Sequence, residues 1–220
     1  MHTSVQNLIN IQNEIKSNIK ELNKNNYQPK IIAVSKTFKM NHIYPLVEYG
    51  HLHYGENKVQ EAIEKWSELK LDKKNLSLHM LGKLQTNKVK NAVKIFDYIH
   101  SVDNLKLAKK IKVEQEKCNK NIKIFIQINL ANEEQKSGIE KKDLNSFYKE
   151  CLSLNLNVIG LMCLPPETIN PIKFFEELYN LNKKLNLTEL SMGMSADYID
   201  ALKFNSTFLR IGSKIFGERT

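Results

Sequence analysis

The chain has 220 residues, is 41% hydrophobic and 26% charged, and carries a formal net charge of +9. That length accommodates one large domain or two small ones, the balance is that of a water-soluble globular protein, and no apolar run approaches a membrane span. The 33 Lys plus Arg are scattered along the whole sequence among many asparagines, with no arginine-rich or aromatic-interleaved patch, which argues against nucleic-acid binding.

The first segment, Ser4 to Leu22, places Val5, Leu8, Ile11, Ile15, Ile19 and Leu22 at i, i+3, i+4 spacing. This predicts an amphipathic helix with Ser4 as its cap. The same stretch has no apolar core and no small-residue cleavage site of a secretion signal, so a cytoplasmic protein is expected. The three cysteines, Cys118, Cys151 and Cys163, are far apart and lack metal-ligand spacing, as expected for inert thiols in a reducing compartment.

Lys30-Ile31-Ile32-Ala33-Val34-Ser35-Lys36 reads as a strand buried on both faces that ends in a lysine. Lysines ordinarily occupy solvated faces. One held partly out of water can lose its proton and attack a carbonyl; the plainer alternative is that Lys36 snorkels to solvent past the strand end.

A repeating pattern follows. A short helix, capped by Asn41, carries Ile43, Leu46 and Val47 and stops at Gly50. Leu52 to Gly55 is a strand, Glu56-Asn57 its turn, and Lys58 to Leu69 a helix. Leu76 to Leu81 is a strand closed by Gly82, and a helix runs through Val89, Ala92, Val93 and Phe96. Tyr98 to Val102 is a strand, with a helix starting at Asp103-Asn104. Strands at Ile122–Leu130, Asn157–Leu164, Glu189–Met194 and Thr207–Gly212 alternate with helices at Asp143–Leu154, Pro171–Leu185 and Asp197–Lys203.

Alternating strands and helices argue a parallel sheet. Eight such units without a linker predict a single (β/α)8 TIM barrel over residues 1–220, with an extra N-terminal helix. An open doubly wound sheet is the alternative, weakened because no Gly-rich dinucleotide fingerprint follows the first strand.

In a barrel the chemistry sits at the C-terminal strand ends. Strand one delivers Lys36 there, strand two Glu56 and Asn57, and strand three passes His79 and reaches Gly82, with Gln85, Asn87 and Lys88 beyond. Strand five ends at Asn129, and strand six carries Met162 and Cys163. Strand seven opens into Ser191-Met192-Gly193-Met194-Ser195, and strand eight ends in Arg210-Ile211-Gly212-Ser213. Barrels often hold phosphate in the last two loops, where Gly lets backbone N–H groups approach an anion and Ser adds a hydroxyl. Read separately, the same dipeptides are ordinary turns and helix caps. Together with a reactive lysine they suggest an aldehyde-bearing phosphate cofactor, pyridoxal 5′-phosphate. Arg210 would then donate to the ring nitrogen and keep it unprotonated, a weak electron sink.

These segments also resemble a known family. Ala33-Val34-Ser35-Lys36, His53-Tyr54-Gly55-Glu56-Asn57, His79-Met80-Leu81-Gly82, Leu84-Gln85-Thr86-Asn87-Lys88, Lys136-Ser137-Gly138, Gly160-Leu161-Met162, Leu190 to Asp197 and Arg210 to Gly217 match the pyridoxal phosphate homeostasis proteins, relatives of the N-terminal barrel of alanine racemase. The resemblance implies that Lys36 forms the internal aldimine, that Ser195, Gly212 and Ser213 hold the phosphate, that Arg210 faces the ring nitrogen, and that Asn57 lines the pocket. Ser213 stands where the family more often has threonine, and Lys83 where many members have a neutral residue or histidine.

Two functions compete. An amino-acid racemase needs a base on each face of the cofactor, and the resemblance implies that in alanine racemase the second comes from a separate domain of the partner subunit. This sequence ends at Thr220, shortly after strand eight, and Tyr54 and His79 look like packing residues. The expectation is therefore a monomeric, non-catalytic carrier of pyridoxal 5′-phosphate in vitamin B6 homeostasis, with no metal and with apo-enzymes as its recipients.

Overall fold

The computed structural model describes residues 1–131 and 137–218. Helix α1 (Thr3–Glu21) precedes eight strands: β1 (Lys30–Val34), β2 (His53–Glu56), β3 (Ser77–Met80), β4 (Tyr98–Val102), β5 (Lys123–Ile128), β6 (Asn157–Cys163), β7 (Glu189–Met194) and β8 (Phe208–Ile211). All neighbours pair in parallel, and β8 returns to β1, closing the barrel in chain order. The intervening helices are α2 (Met40–Glu48), α3 (Val59–Asp72), α4 (Val89–Ile95), α5 (Leu105–Lys117), α6 (Leu144–Ser153), α7 (Ile172–Lys184) and α8 (Tyr198–Lys203). A last short helix, α9 (Ser213–Phe216), follows β8; its four residues are too few to show a period in the sequence. The closed (β/α)8 architecture is the expected one.

Several local expectations shift. Ser4 does not cap α1; it is buried within the helix, and the Nδ1 of His2 accepts its N–H instead. Lys39, not Asn41, occupies the N-cap of α2. Asn104 does cap α5, accepting from the N–H of Leu107 at 2.9 Å. The abundant asparagines do more than fill exposed positions. Asn23, Asn119, Asn155, Asn186 and Asn205 all have positive φ and directly follow the C-caps of α1, α5, α6, α7 and α8. Each is followed by an N–H reaching back five residues: Lys24 to Ile19, Lys120 to Gln115, Leu156 to Cys151, Leu187 to Asn182 and Ser206 to Ala201. These are Schellman endings, with asparagine in the left-handed position that glycine fills elsewhere.

The larger core lies between barrel and helices. The smaller one fills the barrel, with Ile32, Val34, Tyr98, Phe125, Met162 and Phe208 packed together. Three imidazoles share that interior. His79 stacks on Tyr98 and His100 on Phe125, each pair with ring centroids 4.2 Å apart, and His53 meets Phe208 edge-on. Helix α1 covers the last turn of the barrel, where Asn7 donates to the carbonyl of Ile215 in α9 at 3.0 Å. Among the described residues no helix is long and apolar enough to cross a membrane. No group of three or more His, Cys, Asp or Glu among them could hold a metal.

Burial holds these imidazoles neutral. It pushes His53 down to about 4, aided by His51, Lys30 and Lys123 and opposed by Asp97. Burial also pushes His51 to about 4, and His79 and His100 well below the ordinary value. Unfolded histidines titrate near 6.5, so in that window the unfolded chain binds more protons than the folded one. Stability is therefore full above about pH 6.5 and declines as pH falls toward 4. Urea midpoints at pH 7.5 and pH 5 should differ steeply, with the lower value at pH 5; equal midpoints would mean that the imidazoles are not held neutral.

Candidate functional site

A cavity of about 1210 Å³ opens at the C-terminal ends of the strands. Lys36, Asn57, Ser195, Arg210, Gly212 and Ser213 all line it. They arrive from the ends of four strands, β1, β2, β7 and β8, because a parallel barrel directs every strand's C-terminus to one face. Val34, Leu81 and Met162 give it an apolar floor, and Pro165, Pro166 and Ile169 form one wall. Gln85, Asn87, Lys88 and Lys83 are not among its lining residues. Lys136 falls outside the described residues.

Lys36 is half-buried just beyond β1. The strand ends at Val34, two residues short of the expected limit, because the chain turns at once: Thr37 has φ +70. A β-branched residue in that region is strained, and the surroundings must hold it there. Helix α3 does so. Glu61 accepts the Thr37 N–H at 2.5 Å and pairs with Lys65 at 2.6 Å, while Lys65 donates to the carbonyl of Ser35 at 2.8 Å. The residues on both sides of Lys36 are thus fixed to α3.

Glu56 belongs to this network rather than to the cavity, which corrects its expected place at the active face. It is fully buried behind β1. Its carboxylate accepts from Ser35 Oγ at 2.7 Å, Trp66 Nε1 at 3.0 Å and Lys65 Nζ at 3.1 Å. Burial raises its pKa, and Lys65, Trp66 and Ser35 oppose that rise. As an in-strand residue Glu56 alternates away from the interior, where Gly55 faces Leu81 and Ile32.

Arg210 is 5% exposed and projects from β8 into the cavity. Its Nη1 donates to Ser191 Oγ at 2.6 Å and its Nη2 to the carbonyl of Cys163 at 2.9 Å. Cys163 itself is inert: burial pushes its thiol up to about 12. Ser191 lies at the active face as its segment predicts; its pairing with Arg210 across strands is what the structure adds.

At the other edge of the cavity Ser195 Oγ accepts the N–H of Gly212 at 3.2 Å and of Lys214 at 3.4 Å. Three donors, two backbone and one hydroxyl, therefore converge where β7 and β8 end. Gly193 makes that approach possible: it has φ +89, and a Cβ there would lie 2.8 Å from that of Ala201. Asp197 folds back, accepting from the N–H of Met194 at 2.5 Å. Burial raises its pKa, against that hydrogen bond and Arg210. Asn57 is held from below, since a Cβ on Gly82 would strike its carbonyl oxygen at 2.4 Å.

Tyr54 and His79 lie away from the cavity, as packing residues should. Tyr54 packs between β2 and α3, 4.6 Å from the Trp66 ring, and His79 is inside the barrel. No tyrosine, histidine or cysteine is among the described residues lining the cavity, and Lys36 is the one lysine among them.

Removing the cation behind the turn should be costly. Lys65→Met leaves the Glu56 carboxylate buried with only neutral donors, and should lower the unfolding free energy by about 3 kcal/mol. Chemical denaturation followed by Trp66 fluorescence measures this; a loss below about 1 kcal/mol would place the pair among weak surface bridges.

Residues 11–220 match the family model described as alanine racemase, N-terminal domain. A protein of Haemophilus influenzae is 36% identical over 97% of this chain and 94% of its own length, and one of Aquifex aeolicus is 38% identical over 86% and 87%. Both are named pyridoxal phosphate homeostasis protein. The solved structure of PipY from Synechococcus elongatus with PLP bound covers 92% of this chain and 100% of its own, at 32% identity and a TM-score of 0.80. The chain belongs to the alanine racemase N-terminal-domain family, and within it to the pyridoxal phosphate homeostasis proteins.

Proposed function

We propose that this protein binds pyridoxal 5′-phosphate at the strand-end cavity and holds it for release to other proteins, without turnover of its own. The observation that carries the reading is the meeting of Lys36, Arg210 and the Ser195–Gly212–Ser213 donors around one cavity. The PLP-bound PipY structure supports it from outside.

The donor set fits the group. When bound, the cofactor supplies an aldehyde that primary amines take up reversibly. Lys36 offers the amine, on a turn whose two flanking residues are fixed to α3. Ser195, Gly212 and Ser213 offer hydroxyl and N–H donors suited to a phosphate. Arg210 can only donate, so a ring nitrogen facing it stays an acceptor and unprotonated. Val34, Leu81 and Met162 keep water from the floor. Asn57 lines the same cavity and would border the bound group.

Lack of turnover is the finer part of the proposal. Racemisation requires proton transfer on both faces of the substrate carbon; the described lining residues offer Lys36 as their one amine and no tyrosine, histidine or cysteine. Of their carboxylates Asp197 is tied to the N–H of Met194, which leaves Glu167, Asp200 and Glu218 as the groups the racemisation assay tests. An unprotonated ring nitrogen also stabilises a carbanion poorly.

Two measurements test the reading. Protein loaded with pyridoxal 5′-phosphate and reduced with borohydride should carry the cofactor's mass on the peptide containing Lys36, and Lys36→Ala should carry none; an adduct on another lysine would displace Lys36. Loaded protein mixed with an apo-enzyme should restore its activity faster than free dissociation allows, and should not racemise amino acids. Robust racemisation that disappears in Lys36→Ala would replace the carrier by an enzyme.

A further inference from the structure

A line of hydrogen-bonded side chains runs down the barrel interior behind Arg210. Arg210 Nη1 donates to Ser191 Oγ at 2.6 Å, and Ser191 Oγ lies 2.8 Å from His100 Nδ1. His100 Nε2 lies 2.9 Å from His79 Nδ1, and His79 Nε2 lies 3.0 Å from His53 Nδ1. The line crosses from β8 through β7, β4 and β3 to the first residue of β2. Ser191, His100 and His79 are fully buried, and His53 reaches partial exposure at the N-terminal end of the barrel.

The position of every proton follows from the top of the line. A guanidinium has donors and no acceptor, so Ser191 Oγ must accept from it. The serine proton then needs an acceptor of its own, and His100 Nδ1 is the one within reach among the described residues. Were His100 Nδ1 protonated instead, two donors would face one oxygen and the buried serine O–H would be left unpaired, which is costly. His100 therefore accepts at Nδ1 and carries its proton on Nε2. That proton points at His79 Nδ1, so His79 repeats the pattern, and its Nε2–H points at His53 Nδ1.

We propose that Arg210 imposes one proton polarity on this line, so that His100, His79 and His53 all hold their proton on Nε2, and that the line in return keeps Ser191 as a fixed acceptor anchoring the guanidinium. Ser191 and His100 are positioning residues, acting through Arg210. Burial, with the charge of Arg210 adding at His100, keeps these rings neutral. The flanking rings of Tyr98 and Phe125 hold the imidazole planes by stacking. A proton entering at His53 would have to reverse all three rings and strand the Ser191 hydroxyl, so the interior is closed as a proton route to Arg210. The proton assignment stands without any cofactor; its consequence, a ring nitrogen insulated from protons below, rests on the reading given above.

Long-range proton–nitrogen correlation spectra of the cofactor-free, nitrogen-15-histidine protein at pH 7.5 test this directly. The expected result is protonated Nε2 and bare Nδ1 on all three rings. An Nδ1–H tautomer or an imidazolium at any of them would overturn the proposal. His53→Ala removes only the far end and should leave His79 and His100 unchanged; reversal there would mean that polarity is set from below. Ser191→Ala should let His100 populate the reverse tautomer, and Ser191→Thr should restore the single form; a wild-type His100 spectrum in Ser191→Ala would count against the proposal. If Ser191→Ala does not fold, the wild-type and His53→Ala spectra decide alone. For anchoring, folded Ser191→Ala should release pyridoxal 5′-phosphate about tenfold faster than wild type, the loss of one charge-assisted hydrogen bond, with Ser191→Thr near wild type. Equal release by Ser191→Ala would overturn the anchoring half while leaving cofactor binding intact.

Discussion

The pairing of β1 with β8 is the constraint on which the site depends. Ile32 lies opposite Arg210 and Ala33 opposite Ile211, in parallel register. That register brings the turn holding Lys36 beside the loop holding Gly212 and Ser213, although the two segments lie near opposite ends of the chain. Parallel strands send all their C-terminal ends to one face, so the closure that completes the sheet also completes the cavity. A register slip of one residue would turn Arg210 out of the interior and bring its apolar neighbours in.

Two buried polar systems stand behind Lys36 and Arg210. Outside the sheet, Glu56, Ser35, Lys65, Trp66 and Glu61 grip the turn around Lys36. Inside it, Ser191 and three imidazoles support Arg210. Buried polar groups are costly when unpaired and rigid when fully paired. Each system is close to fully paired; one fixes the residues flanking Lys36, and the other anchors the Arg210 guanidinium. Such a frame keeps the donors around the cavity preorganised.

The interior imidazoles also explain why an eight-stranded barrel of this kind is polar where most are aliphatic. Its interior is just wide enough for side chains to fill it. Flat rings fill that space by stacking, as His79 does on Tyr98 and His100 on Phe125. The ring nitrogens, unable to reach water, must find one another, and that requirement produces the line that ends on Arg210.

Much was legible in the residues alone. Period-2 and period-3.6 patterns located all eight strands and most helices, since burial on one face or two is written directly into spacing. The Ser191–Ser195 and Arg210–Ser213 segments located a donor cluster because two glycine-serine loops end neighbouring strands, where one alone would read as a turn or cap. What the sequence could not show was direction across the fold. Glu56 and Asn57 are adjacent, yet one faces α3 and the other the cavity. His79 reads as a packing residue, and nothing in the spacing links it to His53 or His100, because the three lie on different strands. The left-handed asparagines looked like composition until the helix ends around them were visible. Composition, periodicity and local motifs depend on neighbours in the chain, and these the sequence determined by itself. Which buried polar group meets which depends on closure of the sheet, where spacing in the chain no longer measures distance, and only the tertiary structure decided it.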